Sequence, residues 1–377
     1  MLESKKYGLK TITDIHIGSG DKLYKFDYVI NEWKMYIVSE EKLGEEIELD
    51  TLNDLIFGMK NDTYPNLYSF LEKNGLLNTD FLEKVSLYKI PVGTAKFPEN
   101  EVLSFIKDSF KKPYIPGSSI KGSLRTAFLY SVIKMKEKEY INNYVKKRIE
   151  ELENDRRKTK KWFRHKFAIR FAEYLERDYL QKFNLSQSKK YGPLTDIFRV
   201  LKVSDTKSLS QDSLCLKEVK VFSPPRGEKK WSIFVEALSK NSATEFSITV
   251  DWGIFNDFSK SNKEIKGIPI EKYNEFFKDP IKILGDFTND LIKSEEKYFQ
   301  QYGLSFQIPQ GENKPNARIG FGTGMLGNTV DLLMDNETRK KIRDTFGQRR
   351  EQLAPKSRRI ESDTKEGLGW VQITPIR

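Results

Sequence analysis

The sequence predicts an α+β fold assembled as two βαββαβ units, and three observations predict it. Strand-like and helical patterns alternate twice along the chain, and no segment recurs at solenoid period. At 377 residues the chain also has room for two domains and a sizeable buried core.

Composition bounds the function. With 38% hydrophobic and 32% charged residues and a mean hydropathy of −0.60, the chain fits a soluble globular protein and carries no run long enough to cross a bilayer. The stretch MLESKKYGLK lacks the apolar core of a signal peptide. A single cysteine, Cys215, excludes an internal disulfide framework and fits a reducing, cytoplasmic setting. The net charge of +11 and a pI near 9.2 favour a polyanionic partner. Nucleic acid fits better than lipid: no basic amphipathic anchor or lipidation signal is present, and aromatic residues at 12% supply stacking surfaces, although many must be core.

Taken in order, the chain opens as β structure. Tyr7 to Ile12 reads as a strand ending in the turn TDIHIGSG, and FDYVI and WKMYIV form a hairpin around Asn31-Glu32. Thr51 to about Lys84 is helical, and Glu101 to Phe110 fits helix or strand. Lys138 to about Lys182 reads as a charged helical insertion, with cations concentrated between Arg156 and Arg170. Such a run is usually a solvated face. Asn184 to Gly192 reads as a linker, after which IFRVLKVSD, LCLKEVKVF, WSIFVEAL and TEFSITVDW read as strands. Glu271 to Gln301 is helical with a break at Pro280, and Trp370 to Ile373 closes the chain as a strand.

Tyr114 to Phe128, YIPGSSIKGSLRTAF, reads as a loop running into a helix that begins near Ser119. Ile120, Leu124, Ala127 and Phe128 share one face. Lys121 and Arg125 sit one turn apart at the helix N-terminus, where the macrodipole disfavours cations, and Gly122 leaves the backbone open to a ligand. With Ser118 and Ser119 these residues describe a phosphate site. The alternative is an ordinary amphipathic helix with solvated cations. Gly117 and Gly122 have P-loop spacing, but Ser123 stands where the essential lysine must be, which excludes nucleotide hydrolysis by that motif.

The stretch RIGFGTGMLG, Arg318 to Gly327, contains GxGxxG, but it lies too late in the chain, and without the following acidic strand end, to be a dinucleotide fingerprint. Its glycines indicate a backbone with few side chains in the way, flanked by Arg318.

These segments resemble the RAMP superfamily of CRISPR effector proteins. TITDIHIGSG is similar to that family's opening, YIPGSSIKGSLRTAF to its central loop-helix and IGFGTGMLG to its C-terminal glycine-rich loop; FRVLKVSDT, PKSRRI and GWVQI narrow the resemblance to the fifth-subunit family of the type III-A Csm complex. The resemblance implies two ferredoxin-like (RRM-like) domains, at 1–192 with the insertion at about 138–183 and at 193–377 with the glycine-rich loop. It implies a subunit that binds CRISPR RNA, caps its 3′ end and contributes to its maturation in antiviral defence. Partners would be the RNA and other Csm subunits, above all the backbone RAMP subunit, with host nucleases a further class and no membrane. RNA contacts are expected at His16, Gly18, Ser118, Ser119, Lys121, Gly122, Arg125, Arg318, Gly320, Gly322, Thr323 and Gly324.

No catalytic residue, metal or cofactor is expected. His16 beside a glycine turn suggests acid–base RNA cleavage, but the only other histidine, His165, lies in the remote insertion, and no second acid–base partner is visible. Two histidines and one cysteine at unrelated positions do not make a structural zinc site. Asp14, Asp21, Asp205 and Asp251 could assemble a magnesium site, since oxygen ligands need no sequence motif, but nothing in their spacing points to one. The alternative function is a RAMP endoribonuclease that cuts or trims the RNA.

Overall fold

Alternating apolar residues mark strands that enter the core, such as Ala243–Asp251. A computed structural model of the protein describes residues 1–99, 101–153, 174–183, 192–303, 309, 311–346 and 355–376. Its strands, in chain order, are β1 (Leu2–Thr11), β2 (Gly18–Leu23), β3 (Tyr28–Asn31), β4 (Lys34–Val38), β5 (Ser86–Pro91), β6 (Val102–Phe105), β7 (Leu201–Val203), β8 (Leu214–Phe222), β9 (Glu228–Leu238), β10 (Ala243–Asp251), β11 (Glu264–Ile265), β12 (Ile268–Pro269), β13 (Ala317–Arg318), β14 (Arg358–Glu361) and β15 (Trp370–Pro375).

The fold is mixed α+β. One five-stranded sheet runs β13-β15-β1-β10-β7 and a second runs β14-β8-β9-β6-β2; β3-β4-β5 form a smaller sheet. Tyr7, Leu9, Phe246, Ile248 and Val250 alternate along β1 and β10, so one face of that sheet joins the main core. Residue 192 does not divide the sheets. β1 pairs with β10 and β15, and β6 runs parallel to β9, so strands from both sides of that residue share each five-stranded sheet. Pairing between distant segments decides this, and no local pattern records it.

Local chemistry explains the helices. Ser39, Asn66 and Asn78 each accept a hydrogen bond from a first-turn amide, starting the helices Glu40–Glu46, Leu67–Lys73 and Thr79–Val85. Those helices and Leu49–Lys60 close a separate core over the small sheet, with Val29, Tyr36, Phe70 and Leu82 inside. The β3–β4 turn centres on Glu32 and Trp33, one residue later than expected. Both have positive φ, 48° and 62°, which suits the twist of a two-residue hairpin. Of the ambiguous stretch Glu101 to Phe110, Val102–Phe105 forms the strand β6.

Pro280 breaks the helical region because it occupies the first turn of the helix Pro280–Gln301, where a missing N–H costs nothing; Asp279 caps that helix. This long helix packs on the central helix Gly117–Lys134 through Tyr130 and Phe287, whose rings lie 5.0 Å apart, and through Lys134 and Asp290 at 2.6 Å. Of the expected insertion, the helix Tyr140–Glu153 and residues 174–183 are described; the basic run and the linker at 184–191 lie outside the described residues. Among the described residues no helix is long and apolar enough to cross a membrane.

Candidate nucleic-acid interface

The central helix begins at Gly117 rather than near Ser119, because its first amide already has an anion. The Gly117 N–H donates to Asp205 Oδ1 at 2.7 Å, and a β-carbon at Gly117 would collide with the Val203 carbonyl oxygen. The helix start is pressed onto the chain just beyond β7, and a carboxylate of the protein takes the place expected for a phosphate. Both nearby cations also have internal partners. Lys121 Nζ donates to the Leu201 carbonyl at 2.6 Å, and burial holds its pKa below the ordinary lysine value. Arg125 grips both oxygens of Asp196, at 3.0 and 2.8 Å, and Glu176 at 2.8 Å. Burial opposes the Arg125 charge, but bonds and charge from Asp196 and Glu176 outweigh it and raise its pKa. Cations at a helix N-terminus therefore have a structural use here. Ser118 and Gly122 are the exposed members of this group, while Ser119 is half-buried.

His16 is also turned inward. It is 2% exposed, its ring lies edge-on to Phe105 and Phe321, and Nδ1 donates to the Glu236 carbonyl at 2.7 Å. Burial lowers its pKa. Beneath it the fully buried Glu236 carboxylate accepts from Tyr88 at 2.7 Å, from the Phe105 amide at 2.7 Å and from Lys107. His16 therefore supports the turn; Gly18, two residues on in edge strand β2, is exposed.

The glycine stretch folds directly over His16. Phe321 N–H donates to the His16 carbonyl at 2.8 Å, and Gly320, at φ +83°, lies so close that a β-carbon would sit 2.5 Å from that oxygen. Arg318 is 4% exposed and holds the loop from below. Its guanidinium donates to Gly322 O at 3.1 Å and Leu368 O at 3.0 Å, lies over Trp370, and pairs with Glu295 at 3.3 Å. Glu295 accepts as well from Arg358 at 2.9 Å, so two guanidiniums share one buried carboxylate. Thr323 Oγ1 closes the turn onto Gly320 O at 3.0 Å.

Gly322, Thr323 and Gly324 wall a cavity of about 280 Å³, whose other sides include Lys229, Trp231 and Arg359. Trp231 is 51% exposed with Lys229 over its ring, and Arg359 stacks on Phe321 at 4.4 Å. Among the described residues neither Lys229 nor Arg359 makes an ion pair. Trp231 also lines an adjoining groove of about 630 Å³ of mixed charge, with Phe97, Lys96 and Lys230 beside Glu99 and Glu101. Free cations beside the exposed Trp231 ring, with the backbone open at Gly324, can hold the phosphates and stack the bases of a single strand. Lys229 and Trp231 are not singled out by sequence because polar residues on the exposed half of a strand look solvated; the dense KKW at 229–231 is the signal that could have found them.

Solved structures share this fold. A chain of the Csm-crRNA-target RNA ternary complex of a type III-A CRISPR-Cas system superposes with a TM-score of 0.68 at 24% identity, over 99% of this chain and 100% of that one. The crystal structure of T. onnurineus Csm5 superposes with a TM-score of 0.66 at 22% identity, over 97% and 99%. Two curated relatives are each named CRISPR system Cms protein Csm5. That of Streptococcus thermophilus is 25% identical over 78% of this chain and 75% of the relative, and that of Methanocaldococcus jannaschii is 27% identical over 89% and 76%. The RAMP superfamily model matches residues 8–305, most of the sequence, and the chain belongs to that superfamily.

Proposed function

We propose that this chain is a Csm5-type, non-catalytic RNA-binding subunit of a type III-A Csm complex. It holds CRISPR RNA near the 3′ end, contributes to maturation of that end in antiviral defence, and docks on other Csm subunits, the backbone RAMP subunit first among them. Its place of action is the cytoplasm. The observation that carries the proposal is the cavity walled by Gly322, Thr323 and Gly324, where Lys229, Arg359 and Trp231 converge. The names of the relatives and the RNA-bound structural neighbour support it. In this proposal the two ferredoxin-like units, 1–192 and 193–377, exchange strands rather than standing apart. RNA passes over Gly18, Ser118 and Gly122 as well as the glycine loop, while His16, Lys121, Arg125 and Arg318 shape that path from within.

The burial of His16, with Nδ1 committed to Glu236, supports the non-catalytic reading over the ribonuclease. The test is photocrosslinking of CRISPR RNA in the reconstituted complex, beside incubation of the purified chain with labelled precursor RNA with and without Mg²⁺. Crosslinks at Trp231 and the 320–324 loop from nucleotides near the 3′ end, with intact precursor, are expected. Crosslinks confined to other surfaces, or cleavage by this chain, would overturn the proposal.

A further inference from the structure

On the far side of Arg358 lies a second cavity of about 570 Å³, built between one face of the helix Pro280–Gln301, the start of the helix Asn336–Phe346 and the segment leading into β14. Its charge is one-sided. Among the described residues that line it are Lys293, Lys297, Arg339, Lys356 and Arg358, and no carboxylate. Lys293 and Lys297 stand at i and i+4, a like-charge spacing that weakens a helix unless something anionic offsets it. Lys293 has only Asp290, at 3.7 Å, and Lys297 makes no ion pair among the described residues. Arg339 Nε is buried without an acceptor, a costly state for a donor, while its Nη2 donates to Asn336 and the charges of Asp331 and Asp335 partly offset its own.

The remaining wall is aromatic. Tyr298 and Tyr302 pack with ring centroids 5.0 Å apart, the Arg358 guanidinium lies 3.9 Å from the Tyr298 ring, and Tyr302 is 36% exposed. The cavity lies within the range of about 300–1,000 Å³ typical of small-molecule sites, larger than inorganic phosphate needs. We propose that this pocket binds a nucleoside phosphate unit, its phosphate on Lys293, Lys297 and Arg339 and its base against Tyr302. The ligand is either a free mononucleotide or the phosphorylated end of an RNA strand, and the proposal does not depend on RNA lying in the glycine-loop cavity. Arg358, Leu326 and Pro355 line both cavities.

Isothermal titration calorimetry on the full chain tests this with AMP, adenosine, inorganic phosphate and a tetranucleotide with and without a 5′ phosphate. AMP should saturate, and adenosine should bind at least about tenfold more weakly. The double variant Lys293→Ser/Lys297→Ser should lose about tenfold in AMP affinity with an unchanged melting temperature. Tyr302→Ala should weaken AMP but not phosphate, and Lys229→Ser/Arg359→Ser should leave AMP binding intact. A phosphorylated tetranucleotide that outcompetes AMP identifies a strand end as the ligand; the reverse order identifies the free nucleotide. Absence of saturable binding by AMP and by the phosphorylated tetranucleotide, or equal losses in the two double variants, would overturn the proposal.

Discussion

Arg318 stands beside a glycine loop, as a phosphate ligand would, yet its guanidinium is spent on Glu295, Leu368 and Gly322. Glu295→Gln tests how firmly that support is built. Two buried guanidiniums would lose their shared carboxylate, and unfolding experiments should record a loss of about 3–5 kcal/mol. Arg125→Ala should likewise cost stability, about 1–3 kcal/mol, by stranding Asp196, which is mostly buried. Equilibrium unfolding at fixed pH measures both. His16 adds a pH dependence. Burial lowers its pKa from the ordinary 6.5, so as pH falls below 6.5 the unfolded chain takes up a proton that the folded chain refuses, and stability present above 6.5 is lost. The melting temperature should therefore fall between about pH 7 and pH 5.5 by an increment that His16→Gln lacks. An identical fall in both proteins would mean that His16 does not carry it.

At the scale of elements, what was legible in the sequence was what neighbours in the chain decide. The alternation in TEFSITVD marks β10, and Asp279-Pro280 marks the start of the long helix. What was not legible depends on distant partners. The central helix starts early because Asp205, 88 residues onward, reaches Gly117, and Lys121 and Arg125 are drawn inward by Leu201 and Asp196. The glycine loop is visible in sequence, but the division of labour inside it is not. Gly320 is required by the His16 backbone, whereas Gly324 has positive φ and open space in front of it. Gly320→Ala should therefore unfold or melt early, while Gly324→Asn, a residue that tolerates positive φ, should fold normally and weaken RNA binding. Thermal melting beside filter binding separates the two. Normal melting of Gly320→Ala would contradict the close packing of Gly320 on the His16 carbonyl.

Over the whole molecule, a net charge of +11 indicates a polyanion but not where it lies, because many of the cations are paired or buried. Among the described residues that line the glycine-loop cavity, the cations without an ion pair are Lys229 and Arg359, flanking Trp231. The most direct test of the interface is the salt dependence of single-stranded RNA binding by the wild-type chain and by Lys229→Ala/Arg359→Ala. If both side chains hold phosphates, affinity should fall for unrelated sequences alike, and the slope of log K against log salt should shrink by about 1.4, near 0.7 for each phosphate no longer neutralised. A double variant that melts normally and keeps the wild-type affinity and slope would show that RNA does not bind at this cavity.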